Sequence, residues 1–322
     1  MIVTVTPNPS LDRTLEVDEL LRGEVVRAHA ERFDPGGKGV NVSRALVANG
    51  SPSRVVLPLG GADGRLLASL LTDLGIEVAA VPIADETRSN VTVVEPDGTV
   101  TKLNAPGPRL SFEEVEALLE RAVAAAEGAA WVVASGSLAP GTPEDLHARL
   151  VEDVRAVGAR VAVDTSGAAL ERVLGVAPDV LKPNERELSE VTGVVPETLG
   201  DVVHAANELR AKGVGTVVVS LGPGGAVLVS EDDPVHAVSE VIVPKSTVGA
   251  GDALLAGFLA AGGAGADALA EGVTWGAAAC ALPGTAVPGP GDLRRDLVRT
   301  TYIDSERALR ARVEPGTGQP RA

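Results

Sequence analysis

The apolar positions fall into short runs separated by amphipathic stretches. Ile2–Thr6 is a β-branched run halted by Pro7 and Pro9, which predicts a first strand. Residues 15–33 alternate weakly and read as edge strands. After Pro35-Gly36-Gly37-Lys38-Gly39 an amphipathic helix is expected through Leu46, ending at Gly50. A strand over 55–59 and a helix over 65–74, closed by Gly75, follow. Residues 87–94 and 99–103 flank Pro96-Asp97-Gly98, the composition of a hairpin turn. Ser111 and Glu114 make a capping box for a helix running to Ala126. Thr142 and Pro143 read as the cap and first turn of another helix, ending at Gly158. Strands are expected at 131–134, 161–163, 180–181 and 216–221, with 226–229 as a hairpin partner of the last. Late helices are expected to begin near Ala250, Ala266 and Asp292.

Strand–helix alternation over most of the chain predicts an α/β fold with a mainly parallel sheet between two helical layers. The stretches at about 12–35 and 87–104 do not fit that alternation and read as a small β appendage inserted in two pieces. No linker divides the chain, so residues 1–312 are expected to form one domain. Residues 313–322, with two Pro and two Gly, read as a flexible tail.

Composition sharpens this picture. Apolar residues make up 45% of the 322 and aromatics only 2%, so the core must be built from Val, Leu, Ala and Ile. A formal net charge of −16 argues against nucleic acid or an anionic membrane surface as a partner. Cys280 stands alone, which excludes an intramolecular disulfide. The four histidines lack metal-ligand spacing. The amino terminus lacks a basic segment followed by a long apolar one, and no spanning run is present, so a cytoplasmic location is expected.

Four glycine- or oxygen-rich segments carry candidate chemistry. In Ser246-Thr247-Val248-Gly249-Ala250-Gly251-Asp252 two glycines precede an apolar helical run. The first N–H groups of such a helix lack intrahelical acceptors, so Gly249, Ala250 and Gly251 can face a phosphate while Asp252 takes a proton from a hydroxyl. The same pattern is also that of a plain helix start. Gly36 to Asn41 is a glycine-rich helix opening with Lys38 and Asn41 beside Gly37; it departs from a Walker A loop at Arg32 and Gly39. In Lys182-Pro183-Asn184-Glu185-Arg186-Glu187, Asn184 and Glu187 share a helix face and can hold a hydrated Mg²⁺, or simply cap the helix. Ser220-Leu221-Gly222-Pro223-Gly224-Gly225 lies between two strands, where it serves as a hairpin turn or brings backbone close to a nucleotide.

Together with Asn8-Pro9-Ser10-Leu11-Asp12, Thr87-Arg88-Ser89-Asn90-Val91, Ser135-Gly136-Ser137-Leu138 and Asp164-Thr165-Ser166-Gly167, these segments stand in an order that resembles the ribokinase-like (PfkB) carbohydrate kinases over residues 1–300. Arg22-Gly23-Glu24-Val25 and the Gly-Lys-Gly at 37–39 resemble the branch containing 1-phosphofructokinase and tagatose-6-phosphate kinase. The resemblance implies a β lid over a sugar site, ATP with Mg²⁺, and Asp252 as base with the Gly249–Gly251 amides as an anion hole. It implies further that Asp12, Gly37, Lys38 and Asn41 hold the sugar, and that Arg27, Arg88 and Ser137 meet its phosphate. Lys182, Ser220, Gly222, Gly224, Gly225 and Thr247 would line the nucleotide, Asn184 and Glu187 would organise Mg²⁺, and a homodimer would form through the lid. The expected acceptor is fructose 1-phosphate, with tagatose 6-phosphate and fructose 6-phosphate as alternatives. One departure is Ala105, which stands where the branch commonly carries Glu. A non-catalytic sugar-phosphate sensor on this fold would be expected to lack the base or the anion hole, and both are kept here.

Overall fold

The computed structural model describes residues 1–240 and 243–309; the expected tail at 313–322 lies outside them. In chain order the elements are β1 (Ile2–Val5), β2 (Ser10–Glu16), β3 (Ala30–Gly36), α1 (Lys38–Ala48), β4 (Ser53–Leu59), α2 (Gly61–Asp73), β5 (Glu77–Pro82), β6 (Arg88–Val94), β7 (Val100–Leu103), α3 (Phe112–Ala126), β8 (Trp131–Ser135), α4 (Leu146–Ala156), β9 (Arg160–Asp164), α5 (Ala168–Leu174), β10 (Val180–Leu181), α6 (Glu185–Thr192), α7 (Leu199–Ala211), β11 (Thr216–Ser220), β12 (Ala226–Val229), β13 (Val235–Ser239), α8 (Ala250–Ala260), α9 (Gly265–Cys280) and β14 (Val298–Tyr302).

The large sheet runs β14-β13-β12-β11-β10-β9-β8-β1-β4-β5. From β5 to β11 the neighbours are parallel, and β12, β13 and β14 add on antiparallel. The central strands are near-continuous Val and Ala runs because helices cover both faces. One face packs Val42, Leu46, Leu254 and Phe258, from α1 and α8, against Trp131, Val133 and Val218. The other packs Leu118, Leu150, Leu170 and Leu209, from α3, α4, α5 and α7, against Val132, Val161 and Val217.

The two stretches that broke the alternation form a separate sheet, β3-β2-β6-β7. Its first strands are longer and further apart than the weak alternation at 15–33 suggests. β2 starts at Ser10, directly after Pro9, and β3 ends at Gly36. The turn at 96–98 closes the β6–β7 hairpin.

Two local expectations are corrected. The helix read from Thr142 begins only at Leu146, with Asp145 at its N-cap, and the Thr142 hydroxyl is buried without a partner. No helix starts at Asp292: Pro290–Asp292 and Arg295–Leu297 are single 3₁₀ turns leading into β14, where Pro290 and Gly291 give a regular helix little support. Strands β5, β13 and β14 carried no clear period in the sequence. Among the described residues no helix is long and apolar enough to cross a membrane.

Candidate active site

The carboxyl ends of the parallel strands and the amino ends of α1 and α8 converge beneath the small sheet. Ligands of open α/β sheets bind at such ends. Asp252 lies in the first turn of α8 and is buried, with 7% exposure. Gly249 caps that helix with φ +78°, a conformation other residues adopt only at a cost. The first bond of the helix is Ala253 N–H to Gly249 O. Ala250 N–H reaches back to Thr247 O at 3.5 Å, which takes it out of the expected open set Gly249–Gly251, and among the described residues the N–H groups of Gly251 and Asp252 have no backbone acceptor. Those amides lie in the first turn of α8, at the positive end of the helix, where an anion is favoured.

Asn41 donates from Nδ2 to Asp252 Oδ2 at 2.9 Å. The amide of Asn41 is oriented from behind by Arg44, whose Nη1 donates to Asn41 Oδ1 at 3.4 Å and to Pro35 O at 3.1 Å. Among the described residues Asp252 Oδ1 has no side-chain hydrogen bond. Burial, and then the negative charge of Asp164, push the Asp252 carboxyl up to about 6, against the opposing pull of Asn41, Lys38 and Lys182. A carboxyl poised there is ionised near neutrality and still basic enough to take a proton.

Asp164 ends β9 at 1% exposure. Its Oδ1 accepts from Lys38 Nζ at 2.8 Å and its Oδ2 pairs with Lys182 Nζ at 3.0 Å. Although burial opposes it, the two ammonium groups hold the Asp164 carboxyl below its usual range. Burial likewise pulls on Lys38, but Asp164 first, then Glu187 and Asp252, hold its ammonium well above the ordinary lysine range. Lys38 therefore shares one basin with three carboxylates. It reaches it because Gly39, next in α1, brings the helix start against Thr6 and Ser135. A Cβ on Gly39 would lie 2.4 Å from Thr6 Oγ1 and 3.1 Å from Ser135 Oγ, and both hydroxyls are buried without partners.

Asn184 and Glu187 form a full capping box at α6: each side chain accepts the other's backbone N–H at 2.9 Å. The box uses only Glu187 Oε2, and among the described residues Oε1 has no hydrogen-bond partner, so capping leaves one carboxylate oxygen able to meet a cation. A hard oxygen donor of this kind suits Mg²⁺, which is commonly held by one or two carboxylates plus phosphate oxygens and water. Next to it, Asn184, Ser220, Gly222, Gly225, Thr247 and Gly251 help to line a cavity of about 520 Å³, a size suited to a nucleotide. Gly222–Gly224 is a 3₁₀ turn in the β11–β12 hairpin, with Gly224 O accepting from His236 Nε2 at 2.7 Å.

The remaining candidates lie toward the lid. By strand register Asp12, Asn90 and Asp34 share one face of the small sheet. Asp12 Oδ1 accepts from Ser10 Oγ at 2.8 Å and from Asn90 Nδ2 at 2.9 Å. Gly37 caps α1 with φ +117°. Arg88 is more occupied than a free phosphate ligand. It donates to the carbonyls of Pro9 (3.3 Å), Ala105 (2.9 Å) and Asn8 (2.9 Å), the points where the chain enters and leaves the lid. Its guanidinium thus staples the lid base and keeps two of its five N–H donors. Ser137 is exposed and within 3.5 Å of Asn8 Nδ2. Arg27 stands exposed in the β2–β3 loop.

Sequence reasoning gave no role to Asp164, His147 or Arg44. His147 is buried and neutral, its pKa pushed down to about 4 chiefly by burial, and its Nε2–H donates to Gly136 O at 3.2 Å, fixing the loop before Ser137. For Asp164 a signal existed: a charged residue closing an apolar strand at the sheet's ligand-binding end.

Known proteins resemble this chain in sequence and fold. The family described as pfkB family carbohydrate kinase matches residues 8–290. A 1-phosphofructokinase of Rhodobacter capsulatus is 40% identical over 272 residues, 84% of this chain and 86% of its own length. An ATP-dependent 6-phosphofructokinase isozyme 2 of Mycobacterium tuberculosis is 38% identical over 300 residues, 91% of this chain and 88% of its own. The crystal structure of phosphofructokinase-2 from Escherichia coli in complex with potassium superposes with a TM-score of 0.86 at 35% identity, covering 90% of this chain and 96% of that one. A ribokinase-like core, a lid sheet and a basic, carboxylate-bearing basin between them, joined to these likenesses, place the chain in the pfkB family of carbohydrate kinases, phosphotransferases that act on a sugar hydroxyl.

Proposed function

We propose that the chain transfers the γ-phosphoryl group of ATP to the 6-hydroxyl of fructose 1-phosphate, giving fructose 1,6-bisphosphate and ADP. The observation that carries the reading is the buried Asp252, with one carboxylate oxygen held by Asn41 and the other free, directly beside the unpartnered amides that start α8. Asp252 Oδ1 takes the proton as the hydroxyl oxygen attacks phosphorus, the bond to the bridging oxygen of ADP breaks, and the amides of Gly251 and Asp252 stabilise charge on the moving group. Asp12, Gly37, Lys38 and Asn41 position the sugar. The two spare donors of Arg88, with Ser137 and Arg27, meet its phosphate. Lys182, Ser220, Gly222, Gly224, Gly225 and Thr247 line the nucleotide. Glu187 and Asn184 would hold Mg²⁺, which when bound neutralises phosphate charge. Closure of the lid excludes water and so suppresses ATP hydrolysis.

This reading implies a cytoplasmic protein, where ATP is abundant. A homodimer formed lid to lid is part of the same reading. Fructose 6-phosphate is the second acceptor to weigh, because relatives named 6-phosphofructokinase match almost as well as those named 1-phosphofructokinase. ADP release with MgATP and fructose 1-phosphate, fructose 6-phosphate, tagatose 6-phosphate or fructose decides between them. Preference for fructose 1-phosphate, abolished in Asp252→Ala, is the expected result; turnover of fructose 6-phosphate in preference overturns the acceptor assignment.

A further inference from the structure

Two lysines with different neighbourhoods share one carboxylate. Lys38 opens α1 on the acceptor side, its Cβ 3.8 Å from where a side chain on Gly136 would begin, next to Ser137. Lys182 follows β10 on the donor side. Its Nζ lies 3.4 Å from where a Cβ on Gly251 would stand, and Gly251 lines the nucleotide cavity. Both ammonium groups rest on Asp164, one on each oxygen. Resting on the assignment of Asp252 as base, we propose that Asp164 is a positioning residue for the transfer: it fixes one cation on each side of the reaction centre before either ligand arrives.

The arrangement has a consequence that a purely structural ion pair would lack. Around Asp252 the facing groups are Asn41 and Lys38 from α1, Asp164 from β9 and Lys182 after β10. Asp164 and the lysines act on the base with opposite sign, so removing one or the other moves its titration in opposite directions. Each lysine keeps donors for phosphate oxygens after binding Asp164, since an ammonium carries three N–H bonds. Holding both in place removes part of the ordering cost that ligand binding otherwise incurs.

The test compares wild type, Asp164→Asn and Lys38→Met by calorimetry with AMP-PNP plus Mg²⁺ and with fructose 1-phosphate, alongside kcat/KM against pH. Asp164→Asn is expected to weaken both ligands by about tenfold or more, as loss of a charged hydrogen-bond partner does. Lys38→Met is expected to weaken the sugar phosphate alone. The acid limb is expected to move to lower pH in Asp164→Asn and to higher pH in Lys38→Met. Limbs that move the same way, or Asp164→Asn that binds both ligands within about twofold of wild type, overturn the proposal. If wild type binds AMP-PNP but neither binds nor phosphorylates fructose 1-phosphate, the proposed acceptor fails. The nucleotide affinity of Asp164→Asn then decides the role of Asp164. Should Asp164→Asn not fold, the direction of the limb in Lys38→Met decides it.

Discussion

Asp252→Asn should disable the enzyme and stabilise the fold, and the two effects should share one pH dependence. The folded carboxyl titrates at about 6 against an ordinary aspartate value of 3.8. The folded state therefore binds this proton more tightly than the unfolded chain, and stability falls as pH rises from about 4 to about 6, then stays at the lower level. A lift of this size costs about 3 kcal/mol at pH 8 and about 1 kcal/mol at pH 4.5. Asn removes the charge but keeps an oxygen that can accept from Asn41. Asp252→Asn should therefore melt above wild type by roughly 5 °C at pH 8, with a clearly smaller gap at pH 4.5. Its kcat should drop on the order of 10²- to 10⁴-fold. In wild type the base is about 90% ionised at pH 7 and about 10% at pH 5, so kcat/KM should fall about tenfold between them. Thermal melts and initial rates over pH 4.5–8 measure all of this. A gap in Tm that does not change with pH, or a wild-type rate that stays flat to pH 5, would refute the reasoning.

Arg88→Met takes donors from the carbonyls of Asn8, Pro9 and Ala105 and from any acceptor phosphate. Stability should fall by about 1–3 kcal/mol, read by urea titration, and KM for fructose 1-phosphate should rise by about tenfold or more while that for fructose changes little. Equal effects on both sugars would leave Arg88 as a staple only. Glu187→Gln can keep the capping box, since Gln serves at that position, but removes the charge at the free oxygen. The Mg²⁺ concentration for half-maximal rate should rise several-fold with Tm nearly unchanged; an unaltered Mg²⁺ requirement would show that Glu187 acts as a cap alone.

What was legible in the sequence was local. The boxes at Ser111–Glu114 and Asn184–Glu187, the 96–98 turn and the glycine at 249 each write their backbone conformation into a few adjacent residues. Thr142 shows the limit of such signals, since a good cap followed by Pro still yielded to a helix starting at Leu146. β14 was silent for another reason: it lies at the sheet edge, mostly exposed, so no burial pattern marks it. Asp164 was hidden by distance. Its partner Lys38 lies 126 positions away, and the pair exists only because β9 ends where α1 begins.

That convergence also explains how a chain of net charge −16 can attract two anionic substrates. The overall charge sets a weak, salt-screened field at long range, whereas the site presents ammonium groups fixed on a buried carboxylate and the open amides of α8. Asp164 holds both Lys38 and Lys182, and an ammonium paired once keeps further N–H donors for the phosphates of the proposed reaction. On the proposed role of Asp164, a single buried acid makes a preset anion site of two lysines far apart in sequence. Counting charges along the sequence could not have shown this.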